Sequence, residues 1–346
     1  MRSILCSDLR LDPVRSVATV EAELRALLAA GSLDLPQPGS GRTAPRWAAL
    51  AAWGRRDLAV ARLAEGHTDA VAILAQAGRM PAPGALYGVW AARSGGVGAA
   101  LQPSGGGFEL SGTVRFCSGA RALDRALVVV DPPLASSTPP LASSTPAPAG
   151  LLLVEVAVAG SRIRHQPHTW QTPAMDAADT QDVEFDGVLV ARDSVLGEPG
   201  WYTGRAGFAL GGGGVAAVWW GGAAGLLDRS LSHLPAAPDA HQLAHLGELH
   251  ALLEAADALL GRTAAAVDAA PGADHTLALA ALRSAVERVC REVVDRVPRM
   301  VGPAALSRDA GLGQALADLQ LYVRQHHGER DHAVLGEQLI AARRAR

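Results

Sequence analysis

Near the carboxyl end the chain reads Asp318-Leu319-Gln320-Leu321-Tyr322-Val323-Arg324-Gln325-His326-His327-Gly328-Glu329-Arg330-Asp331. Imidazoles interleaved with carboxylates are the usual means of moving a proton near neutral pH. Three readings compete here. His326 or Glu329 acts as a base; Arg324 and the histidines line a pocket for a phosphate or a carboxylate; or the run is a solvated helix face with local ion pairs. On a continuing helix Glu329 stands one turn from His326. Adjacent His326 and His327 diverge by about 100° on a helix, which is not metal-ligand spacing. His241 and His245 share a face at i, i+4, but with His332 they make no convincing donor set, so no metal centre is expected.

Two other stretches invite chemistry. Phe116-Cys117-Ser118 places an apolar ring beside a hydroxyl at the end of a β-type run. The plainer alternative makes Val114 and Phe116 core residues at alternate positions of an ordinary strand. Gly211 to Gly214 precede a helix, as phosphate-binding loops do. They lack the Lys-Ser/Thr of such a loop and follow no βαβ strand, so close packing or an N-terminal anion contact is expected instead. Beside them, Gly221-Gly222 next to Trp219-Trp220 let a second helix or a ring approach closely.

These segments need elements to hold them. From Val17 to Ala77 apolar residues recur at helical spacing, with a break at Gln37-Pro38-Gly39-Ser40-Gly41. Between Ala85 and Glu198 the pattern becomes short β-type runs, among them 107–114, 126–130 and 151–156. Within that region the heptapeptide Pro-Leu-Ala-Ser-Ser-Thr-Pro occurs at 133–139 and again at 140–146; so proline-rich a stretch reads as a lengthened, solvated hairpin loop. After Gly214 helical spacing returns in four segments: 215–232, a stripe from Leu243 through Leu249 and Leu253 to Leu260, a second from Leu282 through Val286 to Val297, and 313–342. The expected fold is α+β: an N-terminal helical region (1–84), a central antiparallel β-barrel or sandwich (85–200) and a C-terminal four-helix bundle (201–346).

Composition excludes several classes. Charged residues are 19% of the 346, the formal net charge is −3 and every basic side chain is arginine, which does not describe a nucleic-acid-binding or disordered chain. Cys6, Cys117 and Cys290 are too scattered for a disulfide framework or a thiolate metal site and suit a reducing compartment, so a cytoplasmic protein is expected. The charged N-terminus is not a secretory leader, and the apolar stretch from Phe208 to Leu227 is broken by glycines, so a buried helix is expected rather than a membrane span.

The order of these motifs resembles the acyl-CoA dehydrogenase family. Leu86-Tyr87-Gly88-Val89-Trp90-Ala91-Ala92 sits where that family has its first flavin-contacting strand and loop. Gly112-Thr113-Val114-Arg115-Phe116-Cys117-Ser118-Gly119 looks like its "G-x-K-x-(W/F)-(I/C)-(T/S)-(N/G)" strand. Trp170 through Phe185-Asp186-Gly187-Val188-Leu189-Val190 and Gly197-Glu198-Pro199-Gly200 are similar to the segments that lead into its helical bundle. The resemblance implies FAD between β-domain and bundle, with Val89, Trp90, Ala91 and Ala92 at the flavin's pyrimidine edge, Phe116, Cys117 and Ser118 against its ring, and Arg324 at its phosphates. A planar redox ring needs an apolar wall and a hydrogen-bonding group near its reactive nitrogen. The resemblance also implies a homodimer or homotetramer, with the partner subunit completing the cofactor site.

The chain departs from the family at telling positions. Trp90 replaces a small hydroxyl residue, and Ala91-Ala92 replace Glu-Pro. The family's Arg-x-x-Phe-Gly turn, which holds the FAD pyrophosphate, is replaced by Ser232-His233-Leu234-Pro235-Ala236-Ala237-Pro238-Asp239, leaving Arg205 or Arg324 to take over. The family's base is a glutamate that follows an Asp-x-x-x-Tyr helix; a gapless match puts His326 there, with Glu329 three residues on. The first expectation is an FAD-dependent dehydrogenase that oxidises the Cα–Cβ bond of an acyl-CoA or acyl-carrier-protein thioester, with His326 or Glu329 as base. The second is a flavin monooxygenase on the same scaffold, in which His326 or His327 assists oxygen transfer. The third is a cofactor-poor subunit paired with a catalytic homologue.

Overall fold

The computed structural model describes residues 16–133 and 150–344. The amino-terminal segment and the repeated heptapeptide beyond Pro133 lie outside the described residues. Three helices come first: α1 (Val17–Ala29), α2 (Thr43–Arg56) and α3 (Leu58–Gln76). The Ser16 hydroxyl starts α1 by accepting from the Thr19 N–H in a capping box. Eight strands follow: β1 (Tyr87–Trp90), β2 (Ala99–Ser104), β3 (Gly107–Cys117), β4 (Arg125–Asp131), β5 (Leu152–Ala157), β6 (Ile163–Gln166), β7 (Gln181–Val190) and β8 (Val195–Leu196). The chain closes with the short α4 (Trp201–Gly204), then α5 (Gly207–Leu231), α6 (Ala240–Ala269), α7 (Thr276–Arg308), α8 (Ala310–Tyr322) and α9 (Glu329–Arg344).

Two compact units form. Of the described residues, one unit is helical and comprises 16–65, 172–177 and 209–344; the other carries the strands and comprises 66–133, 150–171 and 178–208.

In the strand unit one sheet runs in the order β6-β7-β3-β2-β4-β5-β8, with β1 added on β4. The sheet is mixed. β1 and then β2 line the same edge of β4, both parallel to it, and the other pairings are antiparallel. Tyr87, Leu127, Val129, Leu153 and Leu196 pack with Ala70, Ile73 and Leu74 of α3 as its core. The buried Tyr87 hydroxyl donates to Glu155, which also pairs with Arg125 at 2.6 Å, so these three polar groups are matched. On β3 a Cβ at Gly112 would press on the Gly98 carbonyl, and the backbone there has φ +121°, so only glycine serves.

In the helical unit α5 is the packing axis. It is long and apolar enough to cross a membrane, but 83% of its most apolar window is buried inside the protein, which is the character of a core helix. Its glycines explain the contact with α2: a Cβ on Gly221 or Gly225 would collide with the carbonyls of Ala51 and Arg55. Gly213 and Gly214 face Trp47 and Leu50, so the glycine run serves packing. Along α7 the stripe Leu282, Val286, Val289, Val293 and Val297 is buried as its spacing predicts. On α6 burial starts only at Leu249, and Leu243 is exposed.

The helix expected over 313–342 is interrupted. After Tyr322 the chain tightens into a single 3-10 turn over Val323–Gln325, and Gly328 then adopts φ +55° before α9 begins. His326 therefore lies in a break between helices, and the spacing argument that put Glu329 one turn further on the same helix does not hold.

Candidate functional site

The strand unit carries the segment expected to meet a flavin. β3 does not hold Phe116 as a core residue: Val114 is 1% exposed and Phe116 is 51% exposed. The cause is a register shift between Val114 and Cys117, at which Phe116 takes φ +57°. A left-handed backbone costs a bulky residue roughly 1–2 kcal/mol, and such strain persists only where the surroundings fix it.

They do so through the next residues. The Ser118 and Thr180 hydroxyls lie 3.0 Å apart, and the Trp90 indole donates to the Ser118 carbonyl at 3.0 Å. The Gly119 N–H donates to the Ala178 carbonyl. Asp179, itself at φ +47° and buried, accepts from the Arg121 N–H at 2.8 Å and from its guanidinium at 2.6 Å. Of the residues the resemblance assigns to flavin, Phe116 offers an open face, and Val89, Ala91 and Ala92 are half-buried. Trp90 and Cys117 are fully buried, Ser118 nearly so. Burial pushes the Cys117 thiol well up, so it is no nucleophile. An isoalloxazine ring fits here in one respect: Phe116 supplies a free apolar wall on a rigid mount. Ser118 is already engaged by Thr180, so its hydroxyl is the weaker part of the match.

The helical unit carries the histidine cluster. His326 is 4% exposed; its Nδ1 accepts from the Gly328 N–H at 3.2 Å, and its Nε2 lies 3.2 Å from the Ser284 hydroxyl. With Nδ1 accepting, the ring proton of the neutral form belongs on Nε2, toward Ser284. Burial pushes this imidazole down, helped by Arg283 and His332 and opposed by Asp331 and Glu287. His332, from the first turn of α9, sets its ring 5.1 Å away, tilted by 55°. Glu287 of α7 is 2% exposed; one oxygen pairs with Arg291 at 2.8 Å, and the other has no partner. Arg283 lies over the Trp219 ring at 4.8 Å and donates to the Gly212 carbonyl. Burial lowers its guanidinium's pKa. Two further buried donors face no partner, the Trp219 indole N–H and the Tyr322 hydroxyl.

Glu329 is exposed, and Arg324 is half-exposed with its guanidinium 4.0 Å from Glu287. His327 is exposed and leans on Asp331 at 3.5 Å. Ser284 and Glu287 escape a reading by spacing along the final helix, because they come from α7. The available signal is a carboxylate set directly beside the apolar stripe residue Val286. A cavity of about 50 Å³ bounded by Arg55, Asp57, Gly222, Arg229 and Asp318 also lies within this unit, with room for a few waters and not for a three-ring cofactor.

Residues 198–323 match the family described as acyl-CoA dehydrogenase, C-terminal domain. Over these residues the chain is similar to that family, and the order of its motifs agrees with the likeness. It resembles TdsC from Paenibacillus sp. A11-2, solved with FMN and indole, at TM-score 0.75 and 17% identity over 94% of this chain and 95% of that one. TdsC is described as a dibenzothiophene monooxygenase. KijD3, solved with FMN and dTDP-3-amino-2,3,6-trideoxy-4-keto-3-methyl-D-glucose, matches at TM-score 0.76 and 19% identity over 94% of this chain and 91% of that one. Methanesulfinate monooxygenase MsuC from Pseudomonas fluorescens matches at TM-score 0.70 and 17% identity over 96% and 98%. No curated protein matches the sequence. At these identities the structures establish the shared fold, as the sequence motifs imply.

Proposed function

We propose that the protein is a flavin-dependent monooxygenase of the acyl-CoA dehydrogenase fold, using flavin reduced by a separate enzyme. One observation carries the reading: His326, which a gapless match sets against the family's carboxylate base, is a buried imidazole, while Glu329 is exposed. Removing an α-proton from a thioester calls for a desolvated base, and the exposed Glu329 carboxylate does not meet that need. An imidazole held by Ser284 and Gly328 is instead suited to keeping one proton on a defined nitrogen and presenting it as a donor. Similarity to TdsC and MsuC, both described as monooxygenases, supports this choice.

A bound flavin would supply the redox chemistry, and the chain's own groups would position it and manage protons. Phe116 forms the apolar wall, while Val89 and Ala91, which the resemblance also assigns to the flavin, pack against the core shared with α3. FMN is favoured over FAD, because the α5–α6 connection has no Arg-x-x-Phe-Gly turn for a dinucleotide and is committed elsewhere, His233 pairing with Asp309 at 2.8 Å. The acyl-thioester dehydrogenase remains the second reading, with Glu329 or His326 as base.

Titration with FMN and FAD, followed by two assays, separates these. The expected result is one FMN per chain, no bleaching of bound flavin by acyl-CoA without oxygen, and oxygen transfer to nitrogen- or sulfur-containing acceptors when reduced FMN is supplied. His326→Ala is expected to keep FMN affinity within about threefold and to cut oxygen transfer by roughly 10²-fold. Anaerobic bleaching by an acyl-CoA would establish the dehydrogenase instead. A protein that takes up neither flavin would be the non-catalytic subunit.

A further inference from the structure

We infer that Glu287, His326 and His332 form a binding site for one divalent transition-metal ion of the zinc type. A ligand atom from each lies within 4.8 Å of those of the other two. Three elements meet there: α7 gives Glu287, the break after α8 gives His326, and the first turn of α9 gives His332. Two imidazoles and one carboxylate are the donors a borderline ion such as Zn²⁺ prefers, with water in the fourth place.

The independent sign of a ligand is the carboxylate. Glu287 is 2% exposed, and its Oε2 is buried without any hydrogen-bond partner. Arg291 and Arg324 meet the carboxylate at Oε1, and a buried oxygen left without a partner beside them is costly until a donor or a cation reaches it. His326 is prepared from behind: with Nδ1 as ligand, its Nε2–H donates to Ser284, the kind of outer contact that fixes a ligating ring. Gly328 gives up its contact with Nδ1 in exchange. Bonds of about 2.0–2.2 Å place tetrahedral ligand atoms roughly 3.4 Å apart, so a separation of 4.8 Å must contract by about 1.4 Å. His332 is exposed and can turn inward to do this.

The site does not rest on the flavin reading, although it shares His326 with it. An ion bound there would occupy that ring and keep it from proton transfer.

Chelator-stripped protein, free of flavin, is titrated with Zn²⁺ by calorimetry and with Co²⁺ by visible absorption. One equivalent is expected to bind per chain, with the intense absorption of a four-coordinate cobalt ion. His332→Ala, on the surface, and Glu287→Gln, checked for folding by circular dichroism, are each expected to weaken binding at least tenfold. A control pair, His241→Ala with His245→Ala, is expected to leave affinity unchanged. Absence of a stoichiometric site, undiminished binding in His332→Ala, or loss of binding in the control pair overturns the assignment. Failure of the flavin assays leaves this result untouched, since no flavin is present.

Discussion

Both units interrupt a regular element where function is proposed, and they treat the interruption differently. In the strand unit β3 breaks its register at Phe116, and the polar groups that follow find partners: Ser118 with Thr180, Trp90 with the Ser118 carbonyl, Arg121 with Asp179. In the helical unit the chain breaks after Tyr322, and the groups around the break are left short: Glu287 Oε2, the Tyr322 hydroxyl and the Trp219 indole. A largely matched network, with Gln181 Oε1 left over at its end, makes a rigid platform, and a concentration of unsatisfied buried groups marks a place that receives something. The first break presents an apolar ring; the second presents polar groups.

The sharpest way to break this contrast is to dismantle the platform. Asp179 accepts from the Arg121 backbone, the Arg121 guanidinium and the Gln181 amide, and it holds a left-handed backbone that aspartate tolerates better than alanine does. Asp179→Ala is expected to lower stability by about 2.5–4 kcal/mol, since hydrogen bonds to a charged group are worth roughly 1.5–3 kcal/mol and left-handed strain adds about one more. Asp179→Asn should lose less than half of that. Urea unfolding of the two variants measures the difference, and equal losses would show that Asp179 is not the anchor.

The sequence made the architecture legible for physical reasons. The apolar stripe of α7 repeats at helical spacing and burial follows it, while the short β-branched run at 126–130 is buried throughout, as an inner strand's is. Mixed pairing was not legible, because the parallel contacts of β1 and β2 with β4 depend on which edge remains open after folding. At the candidate site the motif order pointed to Phe116 and His326. It could not show that Phe116 leaves the alternation, since one register shift reverses the side a residue faces. Nor could it show the break at Val323, because Arg324 and Gln325 are good helix formers and only Gly328 argues against continuity. Glu287 stayed hidden because a carboxylate on a long amphipathic helix ordinarily belongs to the solvated face.

A second test concerns the helical unit away from its histidines. Asp318 is buried, and burial raises its carboxyl to about 6; the Met175 N–H and the Gln314 amide pull the other way, while Asp57 and Asp176 add to the rise. Folded chains therefore hold this proton through a window in which unfolded chains have lost it. The associated stability is complete below about pH 4 and fades as pH rises through 6, by roughly 2–3 kcal/mol at about 1.36 kcal/mol per pH unit. Asp318→Asn keeps the side-chain oxygen that accepts both bonds and removes the ionisation. It is expected to flatten stability between pH 4 and 6.5 and to exceed the parent by about 2 kcal/mol at pH 7. Denaturant midpoints across that range decide it, and an unchanged slope would mean that Asp318 is ionised in the folded chain at all these pH values.

The smallest effect on stability comes from the residue that best separates platform from occupant. Phe116→Gly removes an exposed ring and relieves a left-handed backbone, a gain of roughly 1–2 kcal/mol that the greater freedom of glycine in the unfolded chain offsets by about 0.5–1 kcal/mol. Stability should then stay within about 1 kcal/mol of the parent, on the stabilised side. FMN affinity should fall at least tenfold, and Phe116→Tyr, which keeps the planar face, should retain it. A residue kept in a strained conformation at no benefit to folding is held there for what it contacts. If the glycine variant instead unfolds easily while binding FMN unchanged, Phe116 belongs to the scaffold, and the flavin wall must be sought elsewhere on the strand unit.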